Sequence, residues 1–320
     1  MDKAPLLQVE DLRKHFRVRD KAGGKSLVRA VDGASLSLAR GETLGIVGES
    51  GCGKTTLGRT ILRLVEPDGG TIRYTGADIT HAGIRPYRAK MQIIFQDPYG
   101  SLDPRTRIID SVAEGIRIHR PDASKAARRQ KAAAFLERVG LTPDCALRYP
   151  HEISGGQQQR VGIARALAVG PELVVCDEPL SSLDVSMQSQ IVNLLEDIQD
   201  REGLAYLFIS HDLAVVRHIA HRVGVMYLGK LVETGTGDDV IRHPAHPYTR
   251  SLVAAVPAPD PRAGRDRTYR ITEASADFGR PERGCRYSGV CEYATGICFE
   301  EEPAASDIAA GHSCACHLHT

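Results

Sequence analysis

The chain has 320 residues, of which 42% are hydrophobic and 25% charged, and its formal net charge is +1. This composition is ordinary for a globular protein with a sizeable core, and the near-zero charge argues against a general nucleic-acid binder. No apolar run approaches the roughly 20 residues that a membrane-spanning helix needs. Residues 1–5 lack the pattern of a signal peptide. We therefore expect a cytoplasmic protein that reaches a membrane only through a partner.

The hydrophobic pattern predicts an α/β fold with a helical insertion. Strands are expected at residues 6–9, 34–39, 43–47, 71–74, 91–95, 173–176, 205–210, 223–227 and 230–234. Helices are expected at residues 54–65, 109–118, 123–139, 157–168, 185–202, 213–220 and 247–256. Between about residues 97 and 170 the period is helical, which indicates a helical subdomain inserted into a sheet domain. Residues 20–25 are expected to form a polar, hairpin-like excursion, and the Pro-, Arg- and Asp-rich stretch after residue 257 an arm or linker.

Residues 48–55 match the phosphate-binding pattern G-x-x-x-x-G-K-[ST] in full. Glycines let consecutive backbone N–H groups curl around phosphate oxygens, and the N-terminus of the following helix adds positive potential. Lys54 is expected to reach the β- and γ-phosphates, and the Thr55 hydroxyl to bind Mg²⁺. A chance glycine-rich turn is the alternative, but the strand before the loop and the helix after it favour a nucleotide site. The candidate nucleotide contacts of this loop are Gly48, Glu49, Ser50, Gly51, Cys52, Gly53, Lys54, Thr55 and Thr56.

Two carboxylates follow the apolar strand at residues 173–176. Asp177 at the strand end is placed to hold Mg²⁺, usually through water. Glu178, one residue on, is placed to polarise an attacking water as a general base. On its own this pair would be better explained as an acidic turn after a strand. The phosphate loop elsewhere in the chain favours the functional interpretation.

A second candidate anion-binding helix start reads Ser154-Gly155-Gly156-Gln157, with the serine in the capping position. One phosphate loop is enough for one nucleotide, so a second such element implies a second nucleotide or a dimer. Together with Gln96, the stretch Ser181-Ser182-Leu183-Asp184, and His211, these motifs stand in an order that resembles an ABC-type ATPase over most of residues 1–235.

That resemblance implies a P-loop NTPase fold with a RecA-like parallel sheet core, an antiparallel β subdomain and an inserted α-helical subdomain. It places an ABC ATPase domain at residues 1–240 and a cysteine-rich extension at 241–320. The implied cofactors are ATP and Mg²⁺. By this resemblance, Lys54 and the loop amides would bind the triphosphate, and Thr55, Gln96 and Asp177 would bind Mg²⁺. Glu178 would be the catalytic base. His211 would contact the γ-phosphate.

The resemblance also implies a dimer. Ser154, Gly155, Gly156 and Gln157 would close on ATP bound by the opposite subunit, and Asp184 would lie in the loop that crosses between subunits. Phe16 is the candidate for stacking on adenine, with a core position in the first hairpin as the alternative. Ile153 and Ser182 depart conservatively from the usual motif residues. Neither departure removes a catalytic atom, so the chain is expected to hydrolyse ATP, and alkylation of Cys52 is expected to block it.

Three further stretches indicate which group of ABC-type ATPases the chain resembles. Residues 96–104 (Gln-Asp-Pro-Tyr-Gly-Ser-Leu-Asp-Pro), residues 246–249 (His-Pro-Tyr-Thr) and a cysteine quartet resemble the ATPases of dipeptide and oligopeptide importers, in particular the second of the two that such importers carry. The implied function is to energise peptide import from the cytoplasmic face of the inner membrane. The implied partners are a second ABC ATPase subunit in a heterodimer, two integral membrane permease subunits and a periplasmic or extracellular substrate-binding protein, with no nucleic acid.

The quartet comprises Cys285, Cys291, Cys298 and Cys316, spaced C-x5-C-x6-C-x17-C. In a chain without an export signal, such a cluster indicates a metal before it indicates disulfides. Spacing alone leaves open a metal of unknown type or free thiols, because the C-x2-C pair of zinc ribbons and bacterial ferredoxins is missing. The family resemblance implies a [4Fe–4S] cluster. Zinc stays open, since further donors stand nearby at Cys314, His312, His317 and His319.

Other functions remain as alternatives. A soluble ABC ATPase acting on nucleic acid or ribosomes is opposed by the single ATPase domain, the absence of a long coiled coil and the lack of basic surplus. A metal-binding redox protein with an attached ATPase is opposed by the lack of a second redox centre. An importer of nickel or haem-like compounds fits the same motifs, because substrate selectivity would reside in other subunits.

Overall fold

The structure is a computed structural model, and it describes residues 5–19, 25–181, 183–255 and 283–319. Residues 20–24 of the predicted excursion, Ser182 and most of the predicted linker lie outside the described residues. The chain divides into two compact units. The first comprises Met1–Gln8, Ser37–Thr43 and Arg73–Ser210, and the second comprises Val9–Leu36, Leu44–Ile72 and His211–Thr320.

The elements are named in chain order. The strands are β1 (Leu7–Arg19), β2 (Lys25–Leu38), β3 (Thr43–Val47), β4 (Gly69–Tyr74), β5 (Ala77–Asp78), β6 (Met91–Ile94), β7 (Leu173–Asp177), β8 (Ala205–Ile209), β9 (Arg222–Tyr227), β10 (Lys230–Thr236), β11 (Ser306–Ala309) and β12 (His312–Cys314). The α-helices are α1 (Lys54–Ile61), α2 (Ile108–His119), α3 (Lys125–Arg138), α4 (Pro143–Ala146), α5 (Gly155–Leu167), α6 (Val185–Glu202), α7 (Leu213–Ile219), α8 (Gly237–Arg242), α9 (Pro247–Ala254) and α10 (Gly296–Glu300).

The first unit contains three parallel strands, in the order β6, β7, β8. Every residue of β7 and β8 is buried, as their apolar composition predicts for parallel strands covered on both faces. In register, Asp177 at the end of β7 lies beside Ile209 of β8. Residues 97–170, all of them described, carry α2 to α5 and no strand, and α2, α3 and α5 pack against one another.

The second unit contains a mixed sheet in the order β3, β9, β10, β12, β11. β3 runs parallel to β9, and the other pairs are antiparallel. The β11–β12 hairpin was not expected from the sequence, because its short polar strands carry no alternating apolar pattern. It adds the C-terminal residues to the edge of the sheet. β1 lies between β2 and β4 in a separate sheet.

Several elements differ in length from the sequence prediction. β1 runs to Arg19 and not only to residue 9. β2 begins at Lys25, nine residues before the predicted start. α1 ends at Ile61 rather than at residue 65. Arg63 adopts φ 52°, a left-handed conformation that cannot continue a helix. No helix within the described ranges is long and apolar enough to cross a bilayer.

Candidate nucleotide site and cysteine-rich segment

The phosphate loop of the second unit joins the fully buried strand β3 to α1. The Lys54 side chain folds into the loop and is only 4% exposed. Its Nζ donates hydrogen bonds to the carbonyl oxygens of Gly48 at 2.7 Å and Glu49 at 2.9 Å. The predicted cation of the site is therefore held at the centre of the loop by the backbone of the loop itself.

Two glycines allow the loop to approach its neighbouring strands. Gly48 has φ 153°, and a Cβ on it would lie 2.1 Å from the carbonyl oxygen of Met226. Gly53 has φ 113°, and a Cβ on it would lie 2.0 Å from the carbonyl oxygen of Ala30. Any side chain at either position would collide with backbone atoms. The glycines of the motif thus let the loop pack directly on the backbone of β9 and β2.

Residues outside the phosphate loop also hydrogen-bond to its backbone. Gly229 N, in the turn between β9 and β10, donates to Cys52 O at 2.7 Å. Glu49 N donates to the hydroxyl of Tyr248, on α9, at 2.9 Å. Sequence reasoning missed Tyr248. Its only signal was its place in the His-Pro-Tyr-Thr stretch, which carried family resemblance but no predicted contact.

Cys52 is the one thiol within the loop, and its side chain is 4% exposed. Burial raises the pKa of Cys52 above its ordinary value, while the nearby Lys54 ammonium opposes this effect. The thiol is therefore expected to be protonated and slow to react at neutral pH.

The predicted acidic pair lies in the first unit. Asp177 ends β7 and is 1% exposed. Glu178 adopts φ 45°, unusual for a residue other than glycine, and its N–H donates to Ile209 O at 3.0 Å. Gln96 Nε2 donates to Glu178 Oε2 at 2.9 Å. The structure thus brings together two of the predicted site residues, Gln96 and Glu178, and fixes the direction of the carboxylate.

The Ser154–Gln157 turn has the geometry that its sequence predicts. Ser154 caps α5: its Oγ accepts from Gln157 N at 3.3 Å, and its own N–H donates to Gln157 Oε1 at 3.0 Å. This reciprocal pair is a capping box. Ser154 and Gly155 are exposed. Gly156 is buried, and a Cβ on it would lie 2.1 Å from Met187 Cε.

Asp184 caps the next helix of the first unit, α6. Its Oδ1 accepts from Ser186 Oγ at 2.7 Å and from Met187 N at 2.9 Å. These hydrogen bonds hold the pKa of the Asp184 carboxyl below its usual value. The loop predicted to cross between subunits thus begins a well-capped helix.

Two further predicted residues lie in the second unit. His211 is exposed and immediately precedes Asp212, whose Oδ1 caps α7 by accepting from Ala214 N at 2.8 Å. Phe16 lies on β1 and is 37% exposed, with Lys14 Nζ 5.4 Å from its ring centroid. The nucleotide contacts of both side chains stay predictions, as does the sharing of one nucleotide by Lys54 and Asp177.

The cysteine quartet lies in the second unit as free thiols. Burial, helped by the nearby Cys316, Cys298 and Cys291, raises the pKa of Cys285 to about 11. Cys285 N also donates to Cys298 O at 2.7 Å. Cys285 and Cys298 are therefore joined through the backbone. Even so, within the described residues no group of three or more His, Cys, Asp or Glu side chains is arranged to hold a metal ion.

Family models match two parts of the chain. Residues 31–181 match the model described as ABC transporter. Residues 232–298 match the model described as oligopeptide/dipeptide transporter, C-terminal region.

Similar proteins match over nearly the whole length. The putative oligopeptide transport ATP-binding protein YkfD of Bacillus subtilis is 44% identical, over 100% of this chain and 97% of that protein. The oligopeptide transport ATP-binding protein OppF of Bacillus subtilis is 49% identical, over 82% of this chain and 86% of that protein. A putative peptide import ATP-binding protein of Brucella ovis is 46% identical, over 99% of this chain and 98% of that protein.

Solved structures match about three quarters of the chain. The ATP-binding cassette MJ0796, in a dimeric post-hydrolysis state bound to ADP and Pi, is 27% identical with a TM-score of 0.65, over 72% of this chain and 98% of that chain. The cbiO1 protein of Clostridium perfringens, part of the ABC transporter complex cbiONQ, is 27% identical with a TM-score of 0.65, over 75% of this chain and 92% of that chain. The predicted P-loop cassette fold is confirmed by these similarities.

Proposed function

Because the chain belongs to the family of ABC-type oligopeptide transport ATP-binding proteins, we propose that it binds and hydrolyses ATP to energise peptide import through a membrane transporter. The observation that carries the proposal is the glycine-rich loop between β3 and α1, with Lys54 held inside it. That loop lies in a chain which matches peptide-transport relatives from end to end.

The residues of the phosphate loop fit a triphosphate, because the Lys54 ammonium lies inside the loop. The loop amides and Lys54 would bind the phosphates, and Thr55, Asp177 and Gln96 would hold the metal, directly or through water. Mg²⁺, when bound, supplies positive charge that neutralises the phosphate oxygens. Glu178 would accept the proton of the attacking water. The hydrogen bond that its carboxylate accepts from Gln96 supports this role. His211 would contact the γ-phosphate.

We propose that the functional unit is a dimer of two ATPase subunits, most simply a heterodimer. In it, the exposed start of α5 at Ser154 and Gly155 would close on the nucleotide bound by the partner. Asp184 would approach the same boundary from α6. ATP binding would thus close the dimer and hydrolysis would reopen it.

The membrane subunits would dock on the helical insertion, from the cytoplasmic face. α2, α3 and α5 border a groove of about 440 Å³ lined by side chains of both charges, including Asp110, Arg117 and Arg165. Such a groove suits a partner segment with alternating charges. A substrate-binding protein outside the membrane would choose the peptide, which this chain does not contact.

We further propose a [4Fe–4S] cluster on Cys285, Cys291, Cys298 and Cys316. Each thiolate of such a cluster binds a different iron, so its ligands must be neighbours without converging on one ion. The proposal is supported by the electrostatic effect of Cys316, Cys298 and Cys291 on Cys285. Cys314, His312, His317 and His319 are the donors for the zinc alternative.

Iron and acid-labile sulfide analysis of anaerobically purified protein tests the cluster. We expect both elements, with the visible absorbance of a cluster, and their loss in Cys291→Ser but not in Cys145→Ser. Cys145 is buried and lies outside the quartet. Zinc without sulfide, or no metal, would exclude the cluster while leaving the ATPase function untouched.

Co-purification and uptake test the transport function. Tagged chain, extracted from membranes in mild detergent, should carry two integral membrane proteins and a second ATPase. Cells that lack the chromosomal copy should regain uptake of a labelled oligopeptide with the wild-type chain, but not with Lys54→Ala. Recovery of the chain with ribosomes instead, and uptake independent of it, would contradict the proposal.

A further inference from the structure

Tyr248 contacts the phosphate loop although it lies outside every motif assigned to the nucleotide. It stands 199 residues along the chain from Glu49, and its hydroxyl accepts the Glu49 N–H at 2.9 Å. The Tyr248 side chain is buried, with 2% of its surface exposed. Burial raises the pKa of Tyr248 far above its ordinary value, so the hydroxyl stays neutral at physiological pH and can accept a hydrogen bond.

The Glu49 N–H is a backbone group at the start of the loop, where the chain leaves β3. A backbone N–H away from water needs an acceptor, and its partner decides which way the peptide plane faces. On the other side of the same residue, the Glu49 carbonyl accepts from Lys54 Nζ. The Tyr248 hydroxyl and the Lys54 ammonium therefore hold the two peptide planes that flank Glu49.

Tyr248 is itself held on several sides. Its N–H donates to His246 Nδ1 at 3.0 Å, which caps α9. Its ring centroid lies 4.5 Å from that of Tyr227, at the end of β9. Tyr287 meets Tyr227 edge-on at 5.2 Å, and its hydroxyl lies 3.2 Å from Ser251 Oγ. We call Tyr227, Tyr248 and Tyr287 the tyrosine cluster.

The tyrosine cluster joins the loop to the C-terminal segment. Tyr287 is two residues from Cys285, and Tyr248 belongs to the His-Pro-Tyr-Thr stretch. We infer that Tyr248 is a positioning residue for ATP: its hydroxyl, supported by the C-terminal segment, holds the Glu49 end of the phosphate loop in the shape that takes the triphosphate. The inference rests on the proposed function, because ATP is the ligand whose affinity reports the loop shape.

The experiment compares Tyr248→Phe with Tyr287→Phe in the full-length protein. Each variant loses one hydroxyl from the tyrosine cluster and keeps the ring. The Tyr248 hydroxyl hydrogen-bonds to the loop, and the Tyr287 hydroxyl to Ser251. Affinity is measured by titration with a fluorescent ATP analogue and Mg²⁺, displaced by ATP. Thermal unfolding midpoints of both variants show whether the fold is kept. Steady-state hydrolysis separates KM from kcat.

We expect the dissociation constant of Tyr248→Phe to rise about three- to tenfold, the range for one lost hydrogen bond. KM should rise in parallel while kcat stays within about twofold, and Tyr287→Phe should bind as the wild type does. Equal affinities in all three proteins would overturn the inference. Equal weakening in both variants would also overturn it, because packing of the tyrosine cluster and not the Tyr248 hydroxyl would then be responsible.

Hydrogen exchange of the wild-type protein gives an independent test if Tyr248→Phe does not fold. The Glu49 amide should be protected without nucleotide, since the tyrosine hydroxyl binds it. Exchange at the rate of an unstructured peptide would reject the contact. A wild-type protein that shows no ATP binding would instead refute the proposed function, so the two failures are distinguishable.

Discussion

Glu178 is one of the non-glycine residues of the described chain whose backbone adopts a left-handed conformation. Its φ of 45° costs on the order of 1–3 kcal/mol for a side chain with a Cβ. The hydrogen bonds to Ile209 O and from Gln96 hold it there. A strained residue that is held in this way, directly after the buried Asp177, is the pattern expected of a catalytic carboxylate.

Replacing Glu178 by glutamine tests this role. We expect Glu178→Gln to lower ATP hydrolysis at least about a hundredfold, because the general base is lost while the shape of the side chain is kept. ATP binding should be unchanged. Phosphate release and nucleotide titration measure the two effects. Glu137→Gln, on the exposed face of α3, is the matched control. If Glu178→Gln hydrolyses ATP at the wild-type rate, Glu178 is not the general base.

Alkylation of Cys52 is a second test at the residue scale. Iodoacetamide should label Cys52 slowly, because the thiol is buried and its pKa is raised. Once attached, the added group should block ATP hydrolysis, and Mg-ATP should slow the labelling further. Peptide mass spectrometry measures the labelling of Cys52. Cys52→Ala should stay active after the same treatment. Full turnover by protein alkylated at Cys52 would contradict the prediction.

At the scale of elements, Glu233 on β10 joins three segments of the second unit. Its carboxylate accepts from Ala245 N at 2.9 Å, His246 N at 2.8 Å and His312 Nε2 at 2.8 Å. The side chains of Glu233 and His312 are almost fully buried. One carboxylate thus fixes both the start of α9 and the strand β12, which are the segments around Tyr248 and the cysteine quartet.

Glu233→Ala should lower the free energy of unfolding by about 3 kcal/mol or more, because three buried donors lose their acceptor. Denaturant titration measures this change. Glu302→Ala is the control, because it removes a carboxylate that is 53% exposed and pairs with Lys230. Such a pair contributes at most about 1 kcal/mol. Equal effects of the two substitutions would show that the buried network does not stabilise the fold.

His246, which caps α9, should make the free energy of unfolding depend on pH. Burial, with smaller effects from His319 and Arg250, lowers the pKa of His246 from 6.5 to about 4. Between these values the unfolded chain binds a proton at His246 and the folded chain does not. Stability is therefore lost as pH falls from about 6.5 to 4, by roughly 3 kcal/mol for this group.

Comparison with His246→Asn isolates this contribution. Asparagine can also cap the helix, but it does not titrate. The difference in unfolding free energy between the two proteins should change by about 3 kcal/mol between pH 7 and pH 4, to the disadvantage of the wild type. Denaturant titrations at several pH values measure it. A difference that stays constant with pH would refute the assignment.

At the scale of the whole molecule, the proposed dimer places Ser154 and Lys54 of one chain on different nucleotides. In the assembled transporter, Ser154→Arg should abolish hydrolysis of the partner's ATP while ATP still binds at Lys54. Nucleotide stoichiometry and phosphate release distinguish the two sites. Ser124→Arg is a close control, since Ser124 also caps an exposed helix start, accepting from Ala127 N at 3.2 Å. Loss of activity in both variants would indicate a capping effect only.

The sequence alone determined the features that depend on neighbouring residues. The phosphate loop is eight consecutive residues whose glycines and lysine dictate its conformation, and the capping box at Ser154 closes within four residues. The buried strands β7 and β8 follow from uninterrupted apolar runs. Local backbone preference and side-chain period suffice for such elements, because their stabilising contacts lie close together in the chain.

Only the tertiary structure decided which distant groups meet. Glu49 and Tyr248 are 199 residues apart, and Glu233 and His312 are 79 residues apart. The β11–β12 hairpin has no apolar pattern, and it forms because β10 offers it backbone partners and Glu233 binds its histidine. Such contacts depend on where packing brings each segment, and the residues themselves carry no sign of their partners. The phosphate loop could therefore be identified from its own residues, whereas the contacts that hold it in place required the fold.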